Sequence, residues 1–368
     1  MQCERAFRHQ RPDSTMPASG GVVFISSYLP PSHQAKLFSL RTSMSTSIIN
    51  LTNYPPRDFR GYGRFPPNPN WPNGAKIAVN FVINYEEGGE NSLDNGDAQA
   101  ESNLQEVGPK PPLKGERDIP METQFEYGAR RGMWRLLNLF EKYKMPVTIY
   151  AVGKAYEQQP EIAKACEEGG HETASHCYRW INYTLMDAET EEKFIRQAIE
   201  SFRKTSPTSK VPVGWYYGRP SPRSWALVSK VCKELGLELL YNADTYADDL
   251  PYWIPDPIEG PDKGLLMMPY TYDCNDFKFY VAPGFPSSMA FFEHAKNAFD
   301  TLYEEGENGQ PSYLTVAVHA RMIGRPGRFP AIQKLVEYVS GKPNVWVATR
   351  EQIARHWVAQ YPYQPVSP

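Results

Sequence analysis

The 368-residue sequence contains no CxxC pair and only five cysteines: Cys3, Cys166, Cys177, Cys232 and Cys274. An odd, scattered set argues against a disulfide framework and fits a reducing, cytoplasmic compartment. No apolar run approaches the ~18 residues of a membrane-spanning helix. The stretch Gly20–Ser27 is apolar, but it is short and lacks the flanks of a signal peptide. Basic residues are not in excess: 39 Lys plus Arg against 42 Asp plus Glu leave a net charge of −3. That balance points to neither nucleic acid nor an anionic membrane as a partner. No Gly-rich phosphate loop follows the first strand-like run, which counts against a nucleotide-binding fold. No internal repeat has a fixed period. Histidine is scarce, with seven in the chain.

What is present is an ordinary globular composition, 41% hydrophobic and 22% charged, in a chain long enough to bury a large core. Aromatics reach 13%, with 23 tyrosines. They can fill a core or form walls for a flat substrate. Three regions follow. Residues 1–43 are rich in Ser and Pro and carry Arg5, Arg8, Arg11 and Arg41, so they read as a disordered or targeting extension ahead of a second start at Met44. Residues 44–74 include a stretch dense in Pro and Gly, which bars long helices and suggests an arm wrapping the domain. Residues 75–362 form the main domain.

Within that domain short apolar runs alternate with helical periodicity. Strands are expected at Ala75–Asn84, Val147–Val152, near His171–Ala174, and at Val213–Tyr217, Leu237–Asn242, Leu265–Tyr270, Tyr313–His319 and Val345–Ala348. Helices are expected at Glu126–Lys144, at Pro160–Glu168, after a cap at Asp187, after Ser221-Pro222, around Ala290–Glu305, at Pro330–Val339 and at Glu351–Gln360. Seven or eight strands in such alternation predict an α/β fold, a deformed (β/α) barrel of parallel strands covered by helices.

Residues able to do chemistry recur just after the strands. They are Glu86 and Glu87, His176, Arg219, Asp244, the pair Asn275 and Asp276, and His319. Taken singly, each has an ordinary reading: a solvated acid pair, a satisfied buried histidine, a strand-end arginine. Taken together, they occupy the C-terminal ends of parallel strands, where barrel active sites lie.

The strings YEEG, GHETASH, GRPSP, DTY and VAVH, in that order, resemble the motifs of the polysaccharide deacetylase (NodB-homology, carbohydrate esterase family 4) superfamily. NYEEGGEN, SHCYRWINY, GWYYGR, YNADTYADDLPYW and IGRPGR resemble its metal-independent allantoinase branch, some members of which are also named chitin deacetylases. The resemblance implies that Glu86 is a general base and that Glu87 and His176 occupy metal-ligand positions. The family's second histidine, four residues after the first, is here Trp180, and an indole cannot serve as that ligand. A catalytic zinc needs three protein ligands, so no tightly held metal or other cofactor is expected. A weakly bound divalent ion at Glu87 and His176 is the alternative. His171 is expected to support its loop. In the expected mechanism Asp244 and Arg219 hold the base, His319 is the general acid, Trp180 stacks on the substrate, and Asn275 and Asp276 meet its polar edges. The long segment Glu86–Thr123 is read as a cover or an oligomer contact.

The expected activity is hydrolysis of a carbon–nitrogen amide bond, opening the hydantoin ring of allantoin to allantoate in purine catabolism. The competing readings are N-deacetylation of chitin or peptidoglycan, a broader cyclic imide hydrolase, and an inactive carbohydrate-binding protein. The expected partner is a small cyclic ureide; the resemblance further implies a homo-oligomer, a tetramer.

Overall fold

A computed structural model describes residues 57–365, residues 107 and 109 excepted. The 1–43 extension with Cys3, and the first part of the arm, 44–56, lie outside the described residues.

Nine strands form one sheet: β1 (Ile77–Tyr85), β2 (Thr148–Ala151), β3 (Glu172–Ser175), β4 (Gly214–Trp215), β5 (Tyr241–Asn242), β6 (Tyr252–Asp256), β7 (Gly260–Met267), β8 (Ser312–His319) and β9 (Val345–Val347). Their order is β6-β7-β5-β4-β3-β2-β1-β8, with β9 added to β1. All pairings are parallel except β6 with β7. On one side β1 pairs with β8 over Ile77–Asn84. On the other it pairs first with β9, over Ile77–Val79, and then with β2, over Val82–Tyr85. Between β7 and β8 the ladder is open, spanned by the bridge of Asn275 with Ala317 and the bond from Ala317 N to Cys274 O (2.8 Å). The fold is the expected α/β class with a mostly parallel sheet.

The helices are α1 (Ile119–Tyr127), α2 (Met133–Lys142), α3 (Gly153–Gln158), α4 (Pro160–Glu168), α5 (Ala188–Thr205), α6 (Ser224–Glu234), α7 (Ser288–Glu307), α8 (Phe329–Ser340) and α9 (Arg350–Gln360). None is long and apolar enough to cross a membrane. The Asp187 side chain caps α5 by accepting from Thr190 N. The expected start of α6 at Ser221-Pro222 is corrected to Ser224. Ser221 Oγ instead donates to the buried carboxylate of Glu191 on α5 (2.6 Å). The antiparallel β6–β7 hairpin was not expected. Pro255, which suits the edge strand β6, and the polar run GPDKG that opens β7 hide it.

Every residue of β1 is buried, as a strand covered on both faces must be. Its side chains alternate. Ile77, Val79, Phe81, Ile83 and Tyr85 pack in the layer that holds Met133, Leu136 and Phe140 of α2. Burial of a large apolar side chain of this kind is worth roughly 1.5–3 kcal/mol. Ala78 and Val82 belong to the second apolar cluster, inside the curled sheet with Tyr150, Tyr216, Tyr241 and Tyr270. The arm lies over the N-terminal end of the strands. Trp71 Nε1 donates to the carbonyl of Ser312, the first residue of β8 (2.9 Å), and His356 of α9 bonds the Pro69 carbonyl (2.7 Å).

Candidate active site

The period-two alternation of β1 places the two acids differently. Ala78, Asn80, Val82 and Asn84 form the inward set, and Glu86 continues it one step past the strand. Glu87 falls on the helix side. A Cβ on Gly128 would stand 2.1 Å from Glu87 Oε1, so only glycine lets the backbone there approach the carboxylate. Gly128 begins a π turn, Gly128–Gly132, between α1 and α2. Gly132, at its end, lies so near the Ala320 carbonyl that a Cβ would meet it at 1.9 Å. Such turns recur at functional sites; this one seats α1 and α2 against the loops after β1 and β8.

Register brings the histidines to Glu86. Asn84 is the Cα partner of both Tyr150 on β2 and His319 on β8, and Tyr150 is the partner of Ala174 on β3. One layer above Ala174 stands His176. Glu86 Oε1 therefore lies 3.3 Å from His176 Nε2 and 3.4 Å from His319 Nε2. The other oxygen, Oε2, accepts from Arg321 Nη1 at 2.6 Å. Asp276 orients His319: Oδ1 lies 2.6 Å from Nδ1, and Oδ2 accepts from the backbone N–H of His319 (2.9 Å) and Ile323 (3.0 Å). All of these side chains are buried.

Electrostatics sets their protonation. Burial opposes charge on Glu86, but Arg321 and His319 override it and hold the carboxyl well below the ordinary range. His319 is opposed by burial too, yet the charges of Glu86 and Asp276 raise it to about 9, which favours the imidazolium. Burial lowers His176, with Glu86 opposing, which favours the neutral ring. Glu87 is pushed up to about 7 by burial, with Arg321 opposing and Glu86 adding to the rise.

Several expected roles are corrected. Neither Arg219 nor Asp244 holds Glu86. Asp244 accepts from the backbone N–H of Tyr217 and Gly218 (2.9–3.0 Å), which fixes the loop after β4, and burial raises it to about 7. Arg219 donates to the Trp180 carbonyl (2.6 Å), lies 4.1 Å from the centre of its ring, and faces Glu101 at 3.8 Å. The guanidinium beside Glu86 is Arg321, two residues past His319. Its position at a strand end was the available signal. Trp180 offers little face for stacking: its ring is 5% exposed, with Arg219, Arg321 and Phe125 against it. Asn275 does not meet a substrate edge, because its Oδ1 accepts from Phe277 N and its Nδ2 donates to the Thr271 carbonyl. Asp276 serves His319 instead. His171, expected to support its loop, stands just before β3, and its Nδ1 accepts from Val147 N (3.3 Å) just before β2.

The donor set does not fit a catalytic divalent ion. Glu87 Oε2 accepts from Glu86 N, its Oε1 lies 4.0 Å from Arg321 Nη1, and His176 Nε2 is turned to Glu86. An ion between them would meet a guanidinium. Among the described residues the one three-donor cluster is Asp273, Cys274 and His294, at the seam after β7.

The long segment after β1 crosses the mouth of the sheet. Trp180 N donates to the Gly89 carbonyl (2.8 Å) and Arg179 Nε to the same carbonyl (3.0 Å). Asp97 pairs with Arg179, Glu101 with Arg219, and Glu106 with Arg328. Those arginines follow β3, β4 and β8, so the segment is tied across three of the loops that carry the site. Beneath it lie Tyr150 and Tyr216, stacked at 4.7 Å, with His176 5.0 Å from Tyr216.

Comparison with known proteins gives the family of the chain. The polysaccharide deacetylase family signature matches residues 117–239. A Schizosaccharomyces pombe protein assigned as a polysaccharide deacetylase is 48% identical over 318 residues, 84% of this chain and 99% of that protein. A probable polysaccharide deacetylase from Pseudomonas aeruginosa PAO1 and the PuuE allantoinase, both known as crystal structures, each match with a TM-score of 0.79. Each is 45% identical over 84% of this chain and the whole of the other. A Helicobacter pylori peptidoglycan deacetylase is more distant, 25% identical over 64% of this chain and 87% of its own length. With motifs, fold and relatives in accord, the chain belongs to the polysaccharide deacetylase family of hydrolases.

Proposed function

We propose that the protein opens the ring of a cyclic ureide, allantoin, by hydrolysing one amide bond with side chains alone. The observation that carries this reading is the set around Glu86. A buried carboxylate touches two histidines and an arginine, and an indole stands where a second metal-binding histidine would be needed. The 45% identity with the PuuE allantoinase supports it, as does the cover over the mouth, which suits a small substrate.

In this mechanism water adds to the carbonyl carbon and gives its proton to Glu86. The carbon–nitrogen bond breaks as His319 passes its Nε2 proton to the leaving nitrogen. The products carry a new carboxylate and a free ureide nitrogen. A carboxylate held as low as Glu86 is a weak base by itself. Once His319 gives up its proton, however, a positive neighbour is lost and Glu86 binds its own proton more readily. The two transfers assist each other. Neutral His176, with Nε2 toward Glu86, orients the water.

A second reading, N-deacetylation of an acetylated amino sugar, is favoured by the names of the Schizosaccharomyces and Pseudomonas relatives. The test is one experiment with two substrates. Purified protein, exhaustively chelated, is given allantoin while ring opening is followed, and chitin oligomers while acetate is followed. Undiminished ring opening is expected. Ring opening that depends on added Zn²⁺ or Co²⁺ would remove the metal-free mechanism, and acetate release without action on allantoin would establish the deacetylase.

A further inference from the structure

We propose that Arg321 is a catalytic residue: its guanidinium is the fixed cation that receives the oxyanion when water adds to the substrate carbonyl. The inference rests on amide hydrolysis at Glu86, not on which amide is cleaved.

Arg321 is 2% exposed. Its Nη1 is engaged by Glu86 Oε2 at 2.6 Å, whereas Nε and Nη2 are buried and have no partner. A guanidinium carries five N–H donors and cannot discard its proton in a protein. A buried donor left unpaired is costly, so two on one side chain call for an acceptor that arrives with a ligand. The side chain has little freedom to seek one elsewhere. The Phe125 ring centre lies 4.2 Å from its Cζ and that of Trp180 lies 4.9 Å away. Its backbone sits in a turn pinned at both ends, since Asp276 Oδ2 accepts from His319 N and Ile323 N, and Met322 N donates to the His319 carbonyl (3.0 Å). Close packing of Gly132 on Ala320 fixes the turn against α2.

Two more unpartnered buried atoms lie in the same site, His176 Nδ1 and Glu87 Oε1. The His176 atom lies on the ring edge turned from Glu86 and the Glu87 atom on the helix side, so the donors beside Glu86 that no described protein group satisfies are Arg321 Nε and Nη2. A hydrated amide offers the complement. Its oxyanion takes two N–H donors. Preorganised donors in a dry site act where charge develops, without reorganising as the reaction proceeds. A planar fork suits this task better than the mobile ammonium of lysine. The stacked indole of Trp180 favours a cation at the same place, so the residue that excludes a histidine ligand also seats the arginine.

Three variants test the role, assayed on allantoin and on chitin oligomers beside the wild type. Arg321→Gln should lower kcat by roughly 10²–10³-fold with KM nearly unchanged. It should also move the acid limb of the pH–kcat/KM profile to higher pH, because Glu86 loses a positive neighbour. Arg321→Lys keeps a charge beside Glu86 and guards against a folding failure. It should melt near the wild type, keep the wild-type acid limb, and still lose at least ~10-fold in kcat through loss of the fork. Arg321→Ala should regain activity in millimolar guanidinium. Wild-type kcat in Arg321→Gln, or a loss in all three variants with an unmoved pH profile and no rescue, would overturn the role. If the wild type releases acetate but leaves allantoin intact, and Arg321→Gln is slow, the role stands and the ureide reading falls. A wild type inert toward both substrates overturns both.

Discussion

The inside of the sheet carries two buried arginines, one near each end, and they are partnered very differently. At the floor, Arg350 opens α9 and is fully buried. Its Nη1 donates to Thr315 Oγ1 (3.0 Å), and its Nη2 donates to the carbonyls of Met268 (2.6 Å) and Pro269 (2.9 Å), so that only its Nε lacks a partner. Nearby Glu172 is equally occupied, with Tyr241 on one oxygen and Thr148 and Glu351 N on the other. At the mouth, Arg321 has one terminal nitrogen engaged and two nitrogens without partners. A cation whose terminal nitrogens are all bonded to the fold holds the fold together. One with Nε and a terminal nitrogen unmatched, beside a buried acid, is poised for a ligand, and the chain carries the cost of leaving those donors unmade.

The contrast can be broken by substitution. The largest effect is expected at the mouth. Glu86→Gln should lower kcat by roughly 10²–10⁴-fold, and it should also lower the melting point at neutral pH, because the charge removed is the buried partner of Arg321 and His319. A wild-type rate in steady-state assays would remove Glu86 from the chemistry. At the floor stability alone should fall. Arg350→Met leaves the Met268 and Pro269 carbonyls without their donor, so unfolding in urea should show a loss of roughly 3 kcal/mol, with kcat of the folded fraction near wild type. A variant that keeps its stability but loses its rate would place Arg350 in the chemistry instead.

The smallest effect concerns pH. Burial pushes Glu87, Glu90 and Asp244 each up to about 7. A carboxyl with a raised folded value holds its proton in the native state after the unfolded chain has lost it. Its contribution is therefore fully present below about 4 and is lost as pH rises toward 7. Glu86 acts in the opposite sense: its stabilisation is present above the ordinary carboxylate range and is lost as pH falls through its lowered value. His319, raised to about 9, adds stability below its ordinary value of 6.5 that is lost as pH climbs through 9. Melting temperature should thus decline from pH 5 to pH 8. Glu87→Gln should flatten that decline and raise the melting point by a few degrees at pH 8 but not at pH 5. A wild-type melting curve independent of pH across this window would show that the mouth carries no such strain.

Much of this arrangement was legible beforehand because it rests on local rules. The apolar run ending in Asn84, the cap at Asp187 and the strand ending in His319 follow from periodicity and capping, and strand-end placement singled out Glu86, His176 and His319. What failed was partner choice. Arg219 and Asp244 stand at strand ends as well, but the turn after β4 folds Asp244 back onto its own amides and sends Arg219 to Trp180 and Glu101. Asn275 is consumed by its own turn. Arg350 gave no sign at all, being one of many charged residues at a helix start.

The sequence by itself determined the alternation of strands and helices, the inward parity of Glu86 against the outward parity of Glu87, and the loss of a histidine at Trp180, because each depends on residue type and spacing along one segment. Only the tertiary structure decided which cation meets Glu86, which carboxylate orients His319, and which arginine locks the floor. Those pairings join residues far apart in the chain, and their outcome depends on sheet register, on close approach at Gly128 and Gly132, and on which buried groups find a partner within hydrogen-bond reach.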